Sequence, residues 1–353
     1  MASMTADSQF MLPLGQKSET APLLSVIIPV HNGGVKFRQC LQSLQTSTLP
    51  PTEVIVVADG DSDGSWRIAE EFGAKVIRLA EAGGPALARN TGAREACGEV
   101  LVFFDADVAI APDTLQQIAD MMRNDSALPA LFGSYDDAPG EPNFLSQYKN
   151  LFHHYVHQTG REEASTFWAG CGAVRREVFL AVGGFDETYS RPSIEDIELG
   201  YRLRRAGHRI RLARAIQVKH LKRWSTRSLL CADFALRAVP WTELMQRAGR
   251  LLDDLNLTWA ARAAVAFGWL ALIELLASPW QPWLAALAAV SLGAMLALHR
   301  WLLRFFLAKR GPLFTLAAAP WLWLYNLYSG LGFVVGLLRH WTRSANNRTT
   351  ETR

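Results

Sequence analysis

The chain has 353 residues, with 36 Lys and Arg against 33 Asp and Glu and a formal net charge of +3. Half of its residues are hydrophobic and a fifth are charged, which excludes a disordered chain, and 16 Pro with 26 Gly in no regular period exclude a collagen-like repeat. So neutral a balance gives no reason to expect a nucleic-acid partner, and Cys40, Cys97, Cys171 and Cys231, without a CxxC pair, fit reduced thiols rather than a disulfide scaffold or a zinc site.

Residues 1–22 lack the basic start and apolar core of a signal peptide and are expected to form a flexible tail. Leu24 to Val30 is then a nearly continuous apolar run rich in Val and Ile. Similar runs recur at Glu53 to Ala58, Lys75 to Leu79 and Val100 to Phe104, with helix-like stretches at Val35 to Thr46, Ser65 to Phe72 and Pro85 to Ala96 between them. This alternation predicts an α/β fold with a mostly parallel central sheet covered on both faces. In such sheets a ligand sits beyond the C-terminal strand ends. Here those ends carry Pro29-Val30-His31-Asn32-Gly33-Gly34, Asp59-Gly60-Asp61-Ser62-Asp63-Gly64-Ser65 and Asp105-Ala106-Asp107, so acidic groups gather along one edge.

Asp63-Gly64-Ser65 suits a helix cap and its turn. Asp59, at the strand end itself, is placed either to shape that turn or to accept a hydrogen bond from a nucleobase. The pairs Gly33-Gly34 and Gly83-Gly84 match neither a dinucleotide-binding nor a P-loop pattern. Asp105 and Asp107 follow a strand with no polar residue and share a face of extended chain. Two such carboxylates repel unless a cation lies between them or one is exposed, and a divalent cation holding a diphosphate is the economical answer. Downstream, Glu195-Asp196-Ile197-Glu198 opens a helix that continues through Arg202 and Arg204. Acids first and arginines last suit the helix dipole, and Glu198 with Arg202 forms an i,i+4 pair. A carboxylate at the extreme N-terminus also suits a general base. His220 reads as a surface histidine or as a metal ligand.

Of 12 Trp, only Trp66 and Trp168 precede residue 220. Leu229, Leu230, Phe234, Ala238, Trp241, Leu244 and Met245 recur at helical spacing beside Arg227, Arg237, Arg247 and Arg250. Residues 225–260 are therefore expected to form amphipathic helices, lying in a membrane interface or packed on the preceding domain. From Ala263 to Leu298 the only charge is Glu274, and Ser278-Pro279-Trp280-Gln281-Pro282 divides the stretch. That predicts a transmembrane hairpin over 261–299 with Trp280 and Trp283 at the far interface, the alternative being a buried helical pair in a soluble domain. Leu313 to Leu338 holds no charge and exceeds the roughly 20 residues that cross a bilayer, so a further span over 313–338 is expected. Arg300, Arg304, Lys309 and Arg310 suit the cytoplasmic side, so a multi-pass inner-membrane protein with its soluble part in the cytoplasm is expected, the last stretch, with Pro320 and several Gly, being either a span or re-entrant. Residues 339–353 form a basic tail, with Arg339, Arg343, Arg348 and Arg353.

Taken in order, Ser25-Val26-Ile27-Ile28-Pro29-Val30-His31-Asn32, Val56-Val57-Ala58-Asp59-Gly60, Gly84-Pro85-Ala86-Leu87-Ala88-Arg89-Asn90, Asp105-Ala106-Asp107, Gly183-Gly184-Phe185-Asp186-Glu187, Glu195-Asp196 and His220-Leu221-Lys222-Arg223-Trp224 resemble family 2 glycosyltransferases with the GT-A fold. The resemblance covers roughly residues 23–224. It implies an inverting, metal-dependent hexosyltransferase. Pro29, His31, Asn32, Asp59, Arg89, Asn90, Asp105, Arg223 and Trp224 would then bind the nucleoside-diphosphate sugar. Asp105, Asp107 and His220 would hold Mg²⁺ or Mn²⁺. Asp196 would be the catalytic base with Glu195 its neighbour, and Gly170, Cys171 and Gly172 would form the acceptor-side loop. His stands where these enzymes usually carry Gln in the last motif, and Ala58 and Asp61 depart from the usual residues. With the hydrophobic C-terminal third, the acceptor is expected to be a lipid or lipid-linked saccharide. A processive polysaccharide synthase and a non-catalytic, membrane-anchored sugar-nucleotide-binding protein are the alternatives.

Overall fold

The computed structural model describes residues 22–249 and 255–351, with side chains as far as residue 343. The expected tail, all but its last residue, lies outside the described residues, as do Arg250, Arg353 and the side chain of Arg348. The four apolar runs are strands β1 (Leu24–Val30), β2 (Glu53–Asp59), β3 (Lys75–Leu79) and β4 (Val100–Phe104), separated by helices α1 (Gly34–Gln45), α2 (Ser65–Glu71) and α3 (Pro85–Glu95). Their β-branched residues pair in parallel in the order β3-β2-β1-β4, with Ile28 beside Val56 and Val26 beside Val102. Pro29 cannot donate to a ladder, and it lies in the part of β1 that runs past the end of β4 pairing at Ile27.

Beyond β4 the chain makes a tight turn into β5 (Val108–Ile110) and continues through α4 (Thr114–Asn124), β6 (Ala130–Tyr135), α5 (Phe144–Thr159), β7 (Cys171–Arg175), α6 (Arg176–Ala181), α7 (Glu195–Arg205) and β8 (Ile210–His220). These strands complete one eight-stranded sheet, β3-β2-β1-β4-β7-β6-β8-β5, in which β7 is antiparallel to both neighbours and β8 runs parallel to β6 and antiparallel to β5. Leu115, Ile118, Ala119 and Met122 of α4, spaced to share one face of a helix, join the buried cluster formed by β1, β2, β4 and α1.

Two compact units emerge. The first holds the sheet, running to Pro142 and resuming at Gly160–Arg223; the second joins Asn143–Thr159 to the chain from Trp224 onward. The first unit ends at Arg223, and α5, which lies within residues 23–224, belongs to the second. The reason is aromatic: Tyr148, Leu151 and Phe152 pack with Leu302, Phe306, Ala318 and Leu322.

The second unit otherwise comprises α8 (Thr226–Leu230), a π-helix (Cys231–Ala238), α9 (Val239–Ala248), α10 (Trp259–Ala277), α11 (Trp283–Leu298) and α12 (Arg300–Glu351). Within it, Asp233 of the π-helix accepts hydrogen bonds from Lys149 (2.5 Å) and Tyr328 (2.8 Å). The last helix is interrupted at Gly311, whose φ of +77° no longer follows a helical path, with Pro312 next. By length and composition, Trp259–Ala277 and Arg300–Arg343 are able to cross a membrane; α11, between them, has 16 residues.

Candidate functional site

The tight turn after β4 carries Asp105 and Asp107, with Val108 N donating to Asp105 O at 3.1 Å. β8 reaches this turn by an irregular course. Its register against β6 passes from Phe132↔Leu212 to Ser134↔Gln217, so residues 213–216 bulge outward before the strand resumes. A Cβ on Gly133 would lie 2.5 Å from Ile216 O, so only glycine admits the bulge there. The strand then pairs Val108 with His220. His220 Nε2 thereby stands 3.9 Å from Asp107 Oδ2, beyond a hydrogen bond but within reach of a shared cation. The His220 ring stacks on Tyr135 (centroids 4.1 Å apart), whose other neighbour is the edge of Trp168 at 4.7 Å.

Arg89 of α3 joins this turn to the start of α7. It is buried and donates to Asp105 Oδ1 at 2.7 Å and to Glu195 Oε1 at 2.8 Å. Burial works against its charge, but the carboxylates of Asp105, Glu195 and Asp196 outweigh that cost and raise its pKa. Glu195 spends its second oxygen on Ser193 N (2.8 Å). Both oxygens are thus engaged, and Glu195 acts as the anchor of Arg89 rather than as a second base. Asp196 differs. Its carboxyl accepts from Ile197 N (2.8 Å) and Ala169 N (3.2 Å), and the residue keeps part of its surface open. Burial of the carboxyl, then the neighbouring Glu195 charge, push its pKa up to about 7 against the pull of Arg89 and the two amides. Gly200 permits this arrangement, because a Cβ there would lie 2.3 Å from Phe167 N and lift α7 off the segment that leads to Ala169.

The residues expected on the nucleoside side divide into two groups. Asn32, in a left-handed conformation (φ +52°), accepts from Ser62 N at 2.8 Å and Asp63 N at 3.2 Å, tying the loop after β1 to the loop after β2. His31 Nδ1 meets Asp59 O at 2.7 Å, and both His31 and Asn32 are exposed. Asp59 is buried and accepts from Gly83 N (2.7 Å) and Gly84 N (2.8 Å). Its position as a nucleobase partner therefore competes with shaping the Gly83-Gly84 loop, each oxygen retaining one lone pair. Pro29 is buried in its strand.

Four of the expected assignments fall on groups that are buried or already engaged. Asn90 is buried and bonded on both sides to the segment after Gly184: Oδ1 accepts from Phe185 N (2.8 Å), and Nδ2 donates to Phe185 O (2.8 Å) and Glu187 (2.9 Å). It closes that loop rather than facing a ligand. Cys171 is 1% exposed in the sheet core, where burial pushes its thiol up to about 12, so it offers no side chain to an acceptor. Gly170 and Gly172 beside it make room for the rings of Trp168 and Phe167. Trp224 is buried in the second unit, its backbone held by Ser146 Oγ (2.7 Å) and Asn143 Nδ2 (2.9 Å). The triad Asp105, Asp107 and His220 is not assembled, since Asp105 turns to Arg89; no group of three acid, His or Cys side chains is arranged for a metal among the described residues. The remaining pair of a carboxylate and an imidazole still fits Mg²⁺ or Mn²⁺, which take few protein ligands when phosphate oxygens complete the shell. Arg223 is exposed and lies 3.5 Å from Glu141.

Residues 25–183 match the model described as glycosyl transferase family 2, and residues 150–224 match one described as the N-terminal domain of galactosyltransferase. Among curated relatives, the uncharacterized glycosyltransferase YibD of Escherichia coli K12 is 36% identical over 107 residues, covering 29% of this chain and 31% of its own. The chain thus aligns with about a third of that relative's length. Among solved structures, the mannosyltransferase PcManGT from Pyrobaculum calidifontis, in complex with GDP-Man and Mn²⁺, superposes with a TM-score of 0.55 at 20% identity, covering 89% of this chain and 87% of the other. S. aureus TarS 1–349 in complex with UDP-GlcNAc gives 0.52 at 19% identity, covering 87% and 89%. These superpositions establish a GT-A-like fold: a mostly parallel sheet followed by C-terminal helices.

Proposed function

We propose that this chain, a family 2 glycosyltransferase by its family match and its GT-A-like fold, transfers a hexose with inversion from a nucleoside-diphosphate sugar to a lipid or lipid-linked acceptor at the cytoplasmic face of a membrane. The observation that carries the reading is the Arg89 bridge, which ties the acidic turn after β4 to the residue adjoining Asp196. Cation-binding groups and a base are thus held through one guanidinium.

In this reading the exposed loop of His31 and Asn32, with Asp59 behind it, receives the nucleoside. Asp107 and His220 would hold Mg²⁺ or Mn²⁺, which would supply Lewis-acid chemistry to the diphosphate. Asp196 takes the proton of the acceptor hydroxyl as that oxygen attacks the anomeric carbon. The bond from that carbon to the diphosphate breaks, and its electron pair leaves with the nucleoside diphosphate. Attack opposite the leaving group inverts the configuration. A carboxyl with a pKa of about 7 is matched to proton transfer near neutral pH.

Membrane association is supported by two helices of spanning length and by exposed apolar side chains in the second unit, among them Leu313 (83%), Trp280 (78%) and Leu316 (73%). Arg300, Arg304, Lys309 and Arg310 favour the cytoplasmic side. In the test, the purified chain in detergent is offered UDP- and GDP-sugars with Mn²⁺ or Mg²⁺ and either lipid-phosphate or water-soluble acceptors. A lipid carrying a single added sugar, lost in Asp196→Asn, is the expected product. Transfer only to soluble acceptors removes the lipid reading, a ladder of products favours a processive synthase, and nucleotide-sugar binding without turnover favours a binding protein.

A further inference from the structure

Near the same strand ends, Lys36 and Glu141 have no task in the scheme above, and Glu141 meets Arg223, which the resemblance places at the donor. Glu141 lies in the segment that follows β6, and backbone hydrogen bonds lash this segment to β8. Asp136 N donates to Val218 O at 2.8 Å and Gly140 N to His220 O at 2.9 Å, while Lys219 Nζ reaches Asp136 Oδ2 at 2.8 Å. Glu141 therefore follows immediately on a residue bonded to the carbonyl of His220. From this position Oε1 lies 3.6 Å from Lys36 Nζ and Oε2 lies 3.5 Å from Arg223 Nη1. Lys36 belongs to the first turn of α1, just after the His31-to-Gly34 loop, and Arg223 follows His220 by three residues. Two elements distant in sequence thus aim one cation each at a single carboxylate.

The geometry marks these contacts as exchangeable. Both exceed the 2.7–2.9 Å of a charge-assisted hydrogen bond. The side chains of Lys36 and Arg223 are 35% and 68% exposed, and pairs of this kind hold weakly. An anion with more charge and more oxygens than one carboxylate wins such a contest, and a diphosphate beside Asp107 and His220 is that anion.

We infer that Lys36 and Arg223 form a two-cation seat for the diphosphate of the donor, and that Glu141 fills this seat until the donor arrives. The inference rests on the glycosyltransferase reading and extends it on the donor side. Lys36 is a binding residue and Glu141 its internal competitor, so their removal acts in opposite directions. A structural brace behaves otherwise: losing either end of it loosens the same contacts and shifts affinity the same way.

The test measures binding of UDP and GDP to the full chain in detergent with Mn²⁺, by titration calorimetry. Freeing a seat that is mostly filled tightens apparent affinity in proportion to the occupied fraction, so Glu141→Gln is expected to bind about threefold to tenfold more tightly. Lys36→Met is expected to bind more weakly by a similar factor. Glu177→Gln, which removes an exposed acid from α6, corrects for net charge and stays within about twofold of the unaltered chain. Glu141→Asp, too short to span both cations, is a second route to the same gain. Unchanged or weaker binding in both Glu141 variants, relative to the Glu177 control, overturns the inference while leaving the enzyme reading intact. Failure of the unaltered chain to bind either nucleotide overturns the enzyme reading itself.

Discussion

Asp196→Asn separates the chemistry of this carboxyl from its cost. The group titrates at about 7 in the folded chain against an ordinary 3.8, burial being the largest cause and the Glu195 charge the next. Between those values the folded chain holds a proton that the unfolded chain has released, so stability falls as pH rises through the window. The contribution is complete below about pH 4 and gone just above pH 7. About three pH units at 1.36 kcal/mol each give ~4 kcal/mol; solvent on the open side of Asp196 reduces this to about 2 kcal/mol. Asn keeps the size and cannot ionise. The variant should therefore gain on the unaltered chain by about 2 kcal/mol between pH 4 and pH 8, a relative rise in Tm of about 3 °C for a chain of this length. Activity should meanwhile fall by about 10²–10⁴-fold, and kcat/KM of the unaltered enzyme should climb with pH around a midpoint near 7. Melting curves of both proteins in detergent across this range are the assay. A Tm difference that does not vary with pH would refute the reasoning, because it would mean that Asp196 ionises as an ordinary carboxylate.

Arg89→Met should cost about 3–5 kcal/mol, since it strands Glu195 and Asp105 without their counter-ion, and thermal melting of the variant checks the loss. Gly200→Ala should lower kcat more than it raises KM and destabilise by about 1–3 kcal/mol, because the new methyl meets the backbone of Phe167 and displaces the helix that carries Asp196. Asp107→Asn should raise the Mn²⁺ concentration needed for half-maximal UDP or GDP binding by at least about tenfold, read by calorimetry at varied metal. Of the four cysteines, exposed Cys97 and Cys231 should alkylate in the native protein, whereas buried Cys40 and Cys171 should react only after denaturation, as counted by mass spectrometry.

The parallel half of the sheet was legible because β1, β2 and β4 are buried on both faces and read as apolar runs, while the edge strand β3 keeps Val76, Ile77 and Leu79 beside exposed Lys75 and Arg78; the strands and helices from residue 24 to residue 104 begin and end within a residue or two of their expected positions. The other half was not. β6 and β7 are short and carry glycines, and β8 bulges around Gly133 and mixes charged with apolar residues. In α5, the buried polar groups of Ser146, Asn150, His154 and His157 interrupt the apolar stripe, so its affiliation with the C-terminal helices could not be seen. Asp105, Asp107 and Asp196 stood out as carboxylates at a strand end and a helix start. What holds them was invisible: Arg89 and Glu195 meet across 106 positions of sequence, and no local pattern records such a contact. The same holds for Asn90, which the family resemblance placed at the donor and whose partners are Phe185 backbone groups and the Glu187 carboxylate of a distant loop.

The path of the polypeptide has a practical outcome for anyone wishing to handle the sheet-bearing unit alone. The chain leaves the first unit at Pro142, returns at Gly160 and departs again at Arg223. Cutting at Arg223 would retain α5 while discarding Leu302, Phe306, Ala318 and Leu322, leaving Tyr148, Leu151 and Phe152 as a bare greasy flank that invites precipitation. A water-soluble version calls for a second excision, with residues 143–159 replaced by a short polar linker, so that neither side of the cut inherits a surface built to be covered.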